Sequence, residues 1–363
     1  MPGDPRPACL ITGIVSPYRR EPFRLLAERE GVEVIAFERA GPPVPGLAVH
    51  RATQAGAVRL AASGRYRAVI CGLGGRLALP GSYLAARARR VPFVLWATVW
   101  GHPRTAAHAL SVLPTRHLYG HADAVATYGE HVSRHVERHR TRGSVVVAPQ
   151  AVDTDHFGAV VTPAERERWR ERSAAPSDSL LALFVGRLER EKGVEVLLDA
   201  WRRAQLGAGA RLAVAGEGPL ATTVASATGV SALGHVPEDD LPALYAAADV
   251  LVLPSVRTGT FLEPWGLVIN EAMLQSTPVI ASDAVGAAAG GLVSDGLTGL
   301  TFPAGDAAAL ASRLEAVNAA PELRSRLGEA AREAAVQLTP AAWAGGMSQA
   351  LARAGAGRSG GTC

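Results

Sequence analysis

Lysine is almost absent from this chain. Of its thirty-seven basic residues all but one are arginine, and the exception is Lys192. Cysteine is scarce as well: Cys9, Cys71 and Cys363 are odd in number and far apart, which excludes a disulfide-stapled scaffold. No apolar run approaches the ~20 residues that span a bilayer. The first residues, Met1-Pro2-Gly3-Asp4-Pro5-Arg6-Pro7, lack the apolar core of a signal peptide. There is no Cys-x2-Cys, no His-x3-His pair on a metal-binding scaffold, and no repeat at a solenoid period. These absences lead to the expectation of a cytoplasmic protein that uses no metal and no bound cofactor.

What is present is a folded chain. Hydrophobic residues make up 48% and charged residues 19%, a balance that excludes disorder. At 363 residues it exceeds the usual size of a single core, so two domains are expected. Short apolar, β-rich runs alternate with helical stretches throughout. The strands of the first half are read at 8–12, 32–37, 68–71, 93–97, 124–128 and 145–148. Those of the second half are read at 180–185, 210–215, 250–253, 279–281 and 299–302. Fully apolar strands between helices indicate parallel sheets covered on both faces. The fold class expected is α/β, with two doubly wound, Rossmann-like domains facing each other across a cleft. The boundaries expected are a first domain over 1–158 and a second over 159–338. A helix over 339–354 is expected to pack back towards the first domain, and the Gly- and Ser-rich tail 355–363 to be disordered. The charged stretch 163–172 reads as an exposed helix leading into the second domain.

Three segments of the second half point to one ligand, expected beyond the carboxyl ends of the strands. Gly186-Arg187-x4-Lys192-Gly193 follows a strand, and its two cations bracket the turn, ready to neutralise a diphosphate. Lysine is a compact point charge on a slim stem where arginine is a wide planar fork, so a narrow phosphate pocket would keep them apart. The alternative is a solvated charge. Gly216-x-Gly218-Pro219 ends another strand in a turn whose bare backbone can approach a ligand, or which is simply tight. Glu263-x7-Glu271 sets one glutamate just before a helix and another about two turns inside it, roughly 12 Å apart. The free amides of Gly266, Leu267 and Val268 at that helix start suit an anion. One carboxylate for sugar hydroxyls, one for ribose, and cations with amides for phosphates describe a nucleotide-sugar site. Capping and solvated acids are the alternative for the glutamates, and Trp265 reads as a packing residue.

These motifs resemble family 4 of the retaining, GT-B-fold glycosyltransferases. Gly234-His235-Val236-Pro237, Leu253-Pro254-Ser255, Pro278-Val279-Ile280-Ala281-Ser282 and Asp295-Gly296-x2-Gly299 resemble it too, so the likeness covers about 180–310 in order and spacing. The resemblance implies that Arg187 and Lys192 take the diphosphate, with Gly186 beside them. It gives Glu263 the donor-sugar hydroxyls and Glu271 the ribose, and sets His235 and Val236 against the base. It also implies a retaining transfer from a nucleoside-diphosphate sugar to an acceptor hydroxyl, with no metal. The acceptor proton would leave with help from the departing phosphate.

The first half carries weaker signals. Ser16-Pro17-Tyr18-Arg19-Arg20 follows the first strand as an acceptor-side loop does in relatives, and His102 is the candidate functional histidine there, with His108, His117 and His121 as rivals. Asp153-Thr154-Asp155 spells the Asp-x-Asp of the other major glycosyltransferase fold, but its place at a domain junction reads as turn and capping acids. Residues 1–150 hold twenty arginines against nine acids, and 151–363 seventeen basic residues against twenty-four acids. The clusters Arg87-Arg89-Arg90 and Arg134-Arg138-Arg140-Arg142 therefore suggest peripheral contact with an anionic membrane, the alternative being an ordinary solvated surface. Nucleic acid is not expected, because the basic runs lack interleaved aromatics. An epimerase of the same architecture, a non-catalytic sugar-nucleotide binder, and a dinucleotide oxidoreductase suggested by Gly72-Leu73-Gly74-Gly75 are the competing readings. The oxidoreductase motif lacks its third glycine spacing.

Overall fold

The structure, a computed structural model, describes residues 4–101 and 106–359. The chain forms two units, Met1–Ala151 with everything from Thr339 onward, and Val152–Leu338.

The first unit is a seven-stranded parallel sheet of β1 (Ala8–Ile14), β2 (Val32–Arg39), β3 (Val49–Arg51), β4 (Ala68–Gly72), β5 (Phe93–Ala97), β6 (Ala124–Thr127) and β7 (Ser144–Val147), in the order β3-β2-β1-β4-β5-β6-β7. The second is a six-stranded sheet of β8 (Leu181–Val185), β9 (Arg211–Ala215), β10 (Val230–Gly234), β11 (Val250–Leu253), β12 (Val279–Ser282) and β13 (Leu300–Phe302), in the order β10-β9-β8-β11-β12-β13. Every pairing between these strands is parallel. Strand order reverses beside β1 in one sheet and beside β8 in the other, the place where such sheets open a crevice for ligands.

Two strands, β3 and β10, have no counterpart in the apolar runs of the sequence. Both are edge strands, and much of each stays accessible to water. An edge strand with solvent on one side needs no continuous apolar run.

The unit changes at Ala151/Val152, earlier than the expected 158, because the junction is tied to the second sheet's helices. Gln275 Nε2 donates to the carbonyls of Phe157 at 2.6 Å and Ala159 at 2.9 Å. Asp153 caps the short helix Thr154–Phe157, accepting from the amides of Asp155 and His156. The helix Pro163–Arg172, closed by a capping box between Thr162 and Glu165, is not wholly exposed as expected. It buries Trp169, and Arg170 pairs with Asp249 at 3.1 Å.

The last helix, Pro340–Ser359, lies against β5, β6, β7 and the helix Arg20–Glu30 of the first unit. Trp343 is its anchor, fully buried with its ring 5.5 Å from those of both Phe23 and Trp96. A side chain at Gly346 would strike the Val147 carbonyl, 2.4 Å from where a Cβ would lie, so glycine sets the depth of the helix against β7. Residues 355–359, expected to be disordered, are helical. Among the described residues no helix is long and apolar enough to cross a membrane.

Candidate functional site

In the second unit the loops leaving β8 and β11, neighbours at the point of strand reversal, are clamped together. The turn Arg190–Lys192 ends at Gly193, whose φ of 72° is left-handed and whose missing Cβ would lie 1.9 Å from the Pro254 carbonyl. The amide of Val256 donates to the Glu191 carbonyl at 2.9 Å. This close approach delivers Lys192 to the carboxylate of Glu263.

Lys192 Nζ donates to Glu263 Oε2 at 2.5 Å, with the two side chains only 15% and 8% exposed. Ser255, the second residue after β11, donates its hydroxyl to the same oxygen at 3.0 Å, and Ser282 Oγ donates to the Ser255 carbonyl. The Phe261 ring lies 5.1 Å from the ammonium. Lysine reaches this spot because an ammonium needs little room at its tip.

Arg187 is in different surroundings. Its guanidinium is 57% exposed and pairs with Glu189 and Glu191 of its own turn. It borders a hollow of about 350 Å³ at the ends of β8 and β9, together with Gly186, Gly216, His235 and Val236. The glycines of the second motif are explained by the chain itself. A Cβ at Gly216 would lie 1.8 Å from the Gly186 carbonyl, and one at Gly218 2.7 Å from that of Leu188. Loop-on-loop packing therefore requires glycine at both positions, and Gly216 also borders the hollow.

Glu263 is followed by Gly266, in the left-handed region at φ 98°, which opens the helix Leu267–Leu274 without a side-chain cap. A Cβ there would lie 2.6 Å from Leu253 Cδ2, so the glycine also seats the helix against β11. The first-turn amides of Leu267 and Val268, half-exposed, have no intrahelical partner by the geometry of a helix start. Trp265 is buried and donates to Asn270 Oδ1 at 2.8 Å, a packing role.

Glu271, on that helix, accepts a hydrogen bond from the buried Tyr245 hydroxyl at 2.6 Å. Glu271 as a residue keeps part of its surface accessible, but its carboxyl is enclosed, and this burial pushes its pKa up to about 7. Glu238 adds to the rise, while Tyr245 and His156 oppose it. A raised folded-state pKa means that the fold holds the proton more tightly than the unfolded chain does. The stability this contributes is complete below the unfolded value of 4.5 and is lost as pH rises through about 7. Glu271→Gln should therefore melt higher than the parent at pH 8 and lose that advantage by about pH 5. Melting curves at the two pH values check this, and a pH-independent difference would contradict it.

Sequence reasoning missed Ser255 as a partner of Glu263, Phe261 over Lys192, and Tyr245. Only Ser255 left a signal, as the polar residue two positions past an apolar strand. His102 lies outside the described residues. In the first unit Arg19 is buried, with no carboxylate paired to it among the described residues. It donates to the Tyr128 hydroxyl and to Gln150 Oε1, each at 2.6 Å, with its guanidinium 4.6 Å from the Trp96 ring.

Residues 165–334 match the family described as glycosyl transferases group 1. Alpha-D-kanosaminyltransferase of Streptomyces kanamyceticus is 31% identical over 184 residues, 48% of this chain and 46% of that protein. A D-inositol 3-phosphate glycosyltransferase of Streptomyces avermitilis is 34% identical over 220 residues, 54% of this chain and 44% of that one. The chain spans about half the length of the curated relatives it matches. Among solved structures, Anabaena HepE in complex with UDP and glucose aligns with a TM-score of 0.76 at 18% identity, over 96% of this chain and 99% of that one. Sucrose-phosphate synthase from Thermosynechococcus elongatus aligns with a TM-score of 0.72 at 22% identity, over 95% and 98%. The stretch 165–334, which holds Lys192, Glu263 and Glu271, thus matches the glycosyl transferases group 1 family, within a chain whose two parallel-sheet units have the GT-B fold.

Proposed function

We propose that this chain is a retaining glycosyltransferase that moves a sugar from a nucleoside diphosphate to an acceptor hydroxyl. The observation that carries the reading is the Lys192–Glu263 pair set beside an uncapped helix start, at the point where strand order reverses. A cation and free amides suit a diphosphate, and a carboxylate beside them suits sugar hydroxyls. The hollow bordered by His235 and Val236 takes the base, and Glu271 takes the ribose. HepE was solved with UDP and with UDP-glucose, which makes uridine diphosphate the first donor base to try.

In the reaction, negative charge grows on the β-phosphate as the glycosidic bond breaks. Lys192 and the amides at the start of Leu267–Leu274 stabilise that charge, with Arg187 joining once it leaves the glutamates of its turn. Glu263 holds the sugar, so the Lys192–Glu263 ion pair gives way to one cation facing phosphate and one carboxylate facing hydroxyls. The acceptor oxygen attacks the face that the diphosphate vacates, and a phosphate oxygen takes its proton. The protein supplies position and electrostatics rather than a covalent intermediate.

Thermal shift with a panel of nucleoside diphosphates and their sugars, followed by product analysis with and without added acceptors, tests this reading. Interconversion of donor sugars without an acceptor would mean an epimerase, and binding without turnover a sensor. Glu263→Gln should impair transfer more than binding of the bare nucleoside diphosphate, while Glu271→Gln should weaken that binding itself. Transfer should persist in EDTA. Equal effects of the two substitutions on nucleotide binding, or complete loss in EDTA, would refute the division of roles.

A further inference from the structure

The second unit holds another hollow, of about 380 Å³, at the amino ends of β11 and β12. The candidate donor site lies past the other ends of its strands. Small-molecule sites fall roughly between 300 and 1,000 Å³. The walls come from the junction 158–161, the helix Pro163–Arg172, the turn after the helix Leu267–Leu274, and the helix Pro321–Ala335.

Arginines dominate these walls. Arg324, Gly328 and Arg332 recur every four residues on the helix Pro321–Ala335 and so share one face. A Cβ at Gly328 would lie 2.1 Å from the Ser276 carbonyl, so glycine lets this face close on the turn, with an arginine to each side of the contact. Ser276 itself is held at φ 59°, in the left-handed region that side chains rarely adopt. Arg332 Nη1 donates to the Leu274 carbonyl at 2.5 Å, and Arg324 Nη1 to that of Val317 at 2.6 Å. Among the described residues neither uses its Nη2, and the guanidinium of the exposed Arg166 has no partner.

The one acid that borders the hollow, among the described residues, is already engaged. Asp249 Oδ2 accepts from Arg170 Nη1 at 3.1 Å and from the Leu181 amide at 2.7 Å. Its Oδ1 lies 3.9 Å from Arg324 Nε. Ser325, at the rim, donates to Glu329 at 3.1 Å, but that carboxylate does not border the hollow. Three guanidiniums are thus set against one carboxylate, which Arg170 already pairs.

We propose that this hollow is a second ligand site, which takes a phosphate group, either free or carried by a small organic molecule. Arg166, Arg324 and Arg332 meet the phosphate, since planar guanidiniums match its oxygens with paired hydrogen bonds. Val160, Val161 and Ala246 supply an apolar side for an organic carrier. The helix Leu267–Leu274, ~12 Å long, separates the hollow from the helix-start amides beside Lys192, so this site stands apart from sugar transfer.

Isothermal titration of the full chain with glucose 6-phosphate and with inorganic phosphate tests the site. Binding is expected, and it should weaken at least ~10-fold in Arg166→Glu, where a charge-assisted contact is lost, and in Ser325→Glu, where a carboxylate enters the rim. Arg168→Glu, on the same helix but not bordering the hollow, should bind as the parent does. So should Lys192→Ala, whose lost charge belongs to the donor site. Melting temperatures of the exposed-residue variants without ligand, expected unchanged, show that the fold is intact. Tighter binding of glucose 6-phosphate than of inorganic phosphate identifies an organic carrier, and equal affinity the free anion; either upholds the site. The proposal fails if neither compound binds at millimolar concentration, if Lys192→Ala abolishes binding that Arg166→Glu leaves intact, or if Arg168→Glu weakens it as much as Arg166→Glu.

Discussion

Lys192→Ala is expected to lower kcat/KM by at least ~30-fold, the loss of about 2 kcal/mol when a charge on a leaving group is no longer stabilised. The geometry adds a second effect. Removing the ammonium takes the Lys192 charge away from Glu263, which is almost fully enclosed, while the Ser255 hydrogen bond stays. Breaking a buried pair from one side costs roughly 3–5 kcal/mol. Lower activity in this variant could therefore reflect a weakened fold. The double variant Lys192→Met, Glu263→Gln separates the two effects. With both charges gone, stability should return close to that of the parent, because replacing a whole buried pair is nearly neutral. Activity should not return. Lys192→Arg should also be impaired, since a planar guanidinium is wider than the ammonium that lies between Glu263 and Phe261. Chemical denaturation alongside steady-state kinetics on the three variants decides the matter. If the double variant regains both stability and turnover, the pair is a structural strut.

Gly216→Ala is expected to cost roughly 3 kcal/mol or more of stability, from backbone strain of about 1–2 kcal/mol and overpacking of similar size. Gly216 has φ 148°, and its new methyl would overlap the Gly186 carbonyl. The overlap is with backbone of the β8 loop, which no side-chain rotation relieves. Because that loop carries Arg187 and borders the hollow, nucleotide binding should weaken with stability. Gly234→Ala is the control: it is also left-handed, at φ 67°, but nothing lies within 4 Å of its added Cβ. It should show the strain alone, about 1 kcal/mol. Denaturation midpoints and nucleotide titrations on both variants test this. Similar losses at the two positions would mean that close loop packing is not what the glycine serves.

Much of the architecture was legible because parallel strands buried on both faces must be apolar throughout. The runs at β1, β4 and β5, and at β8, β9 and β11, announce themselves for that reason, and their alternation with helices implies two doubly wound sheets. The candidate residues were legible because chemistry restricts residue type: one lysine in an arginine-rich chain, and two glutamates spaced along a helix start. The edge strands β3 and β10 were not legible, since solvent on one side removes the apolar constraint.

Partnership is what the tertiary structure alone decided. Lys192 meets Glu263 across seventy-one positions, and Tyr245 meets Glu271 across twenty-six. Whether Arg87, Arg89, Arg140 and Arg142 are free surface charge or are tied to the fold depends on carbonyls and a carboxylate eighteen to thirty-six positions away. Periodicity and residue type report the environment a segment needs, and they act locally along the chain. A hydrogen bond or ion pair depends on atoms within about 3 Å of each other, and only the packing of one loop against another brings them that close.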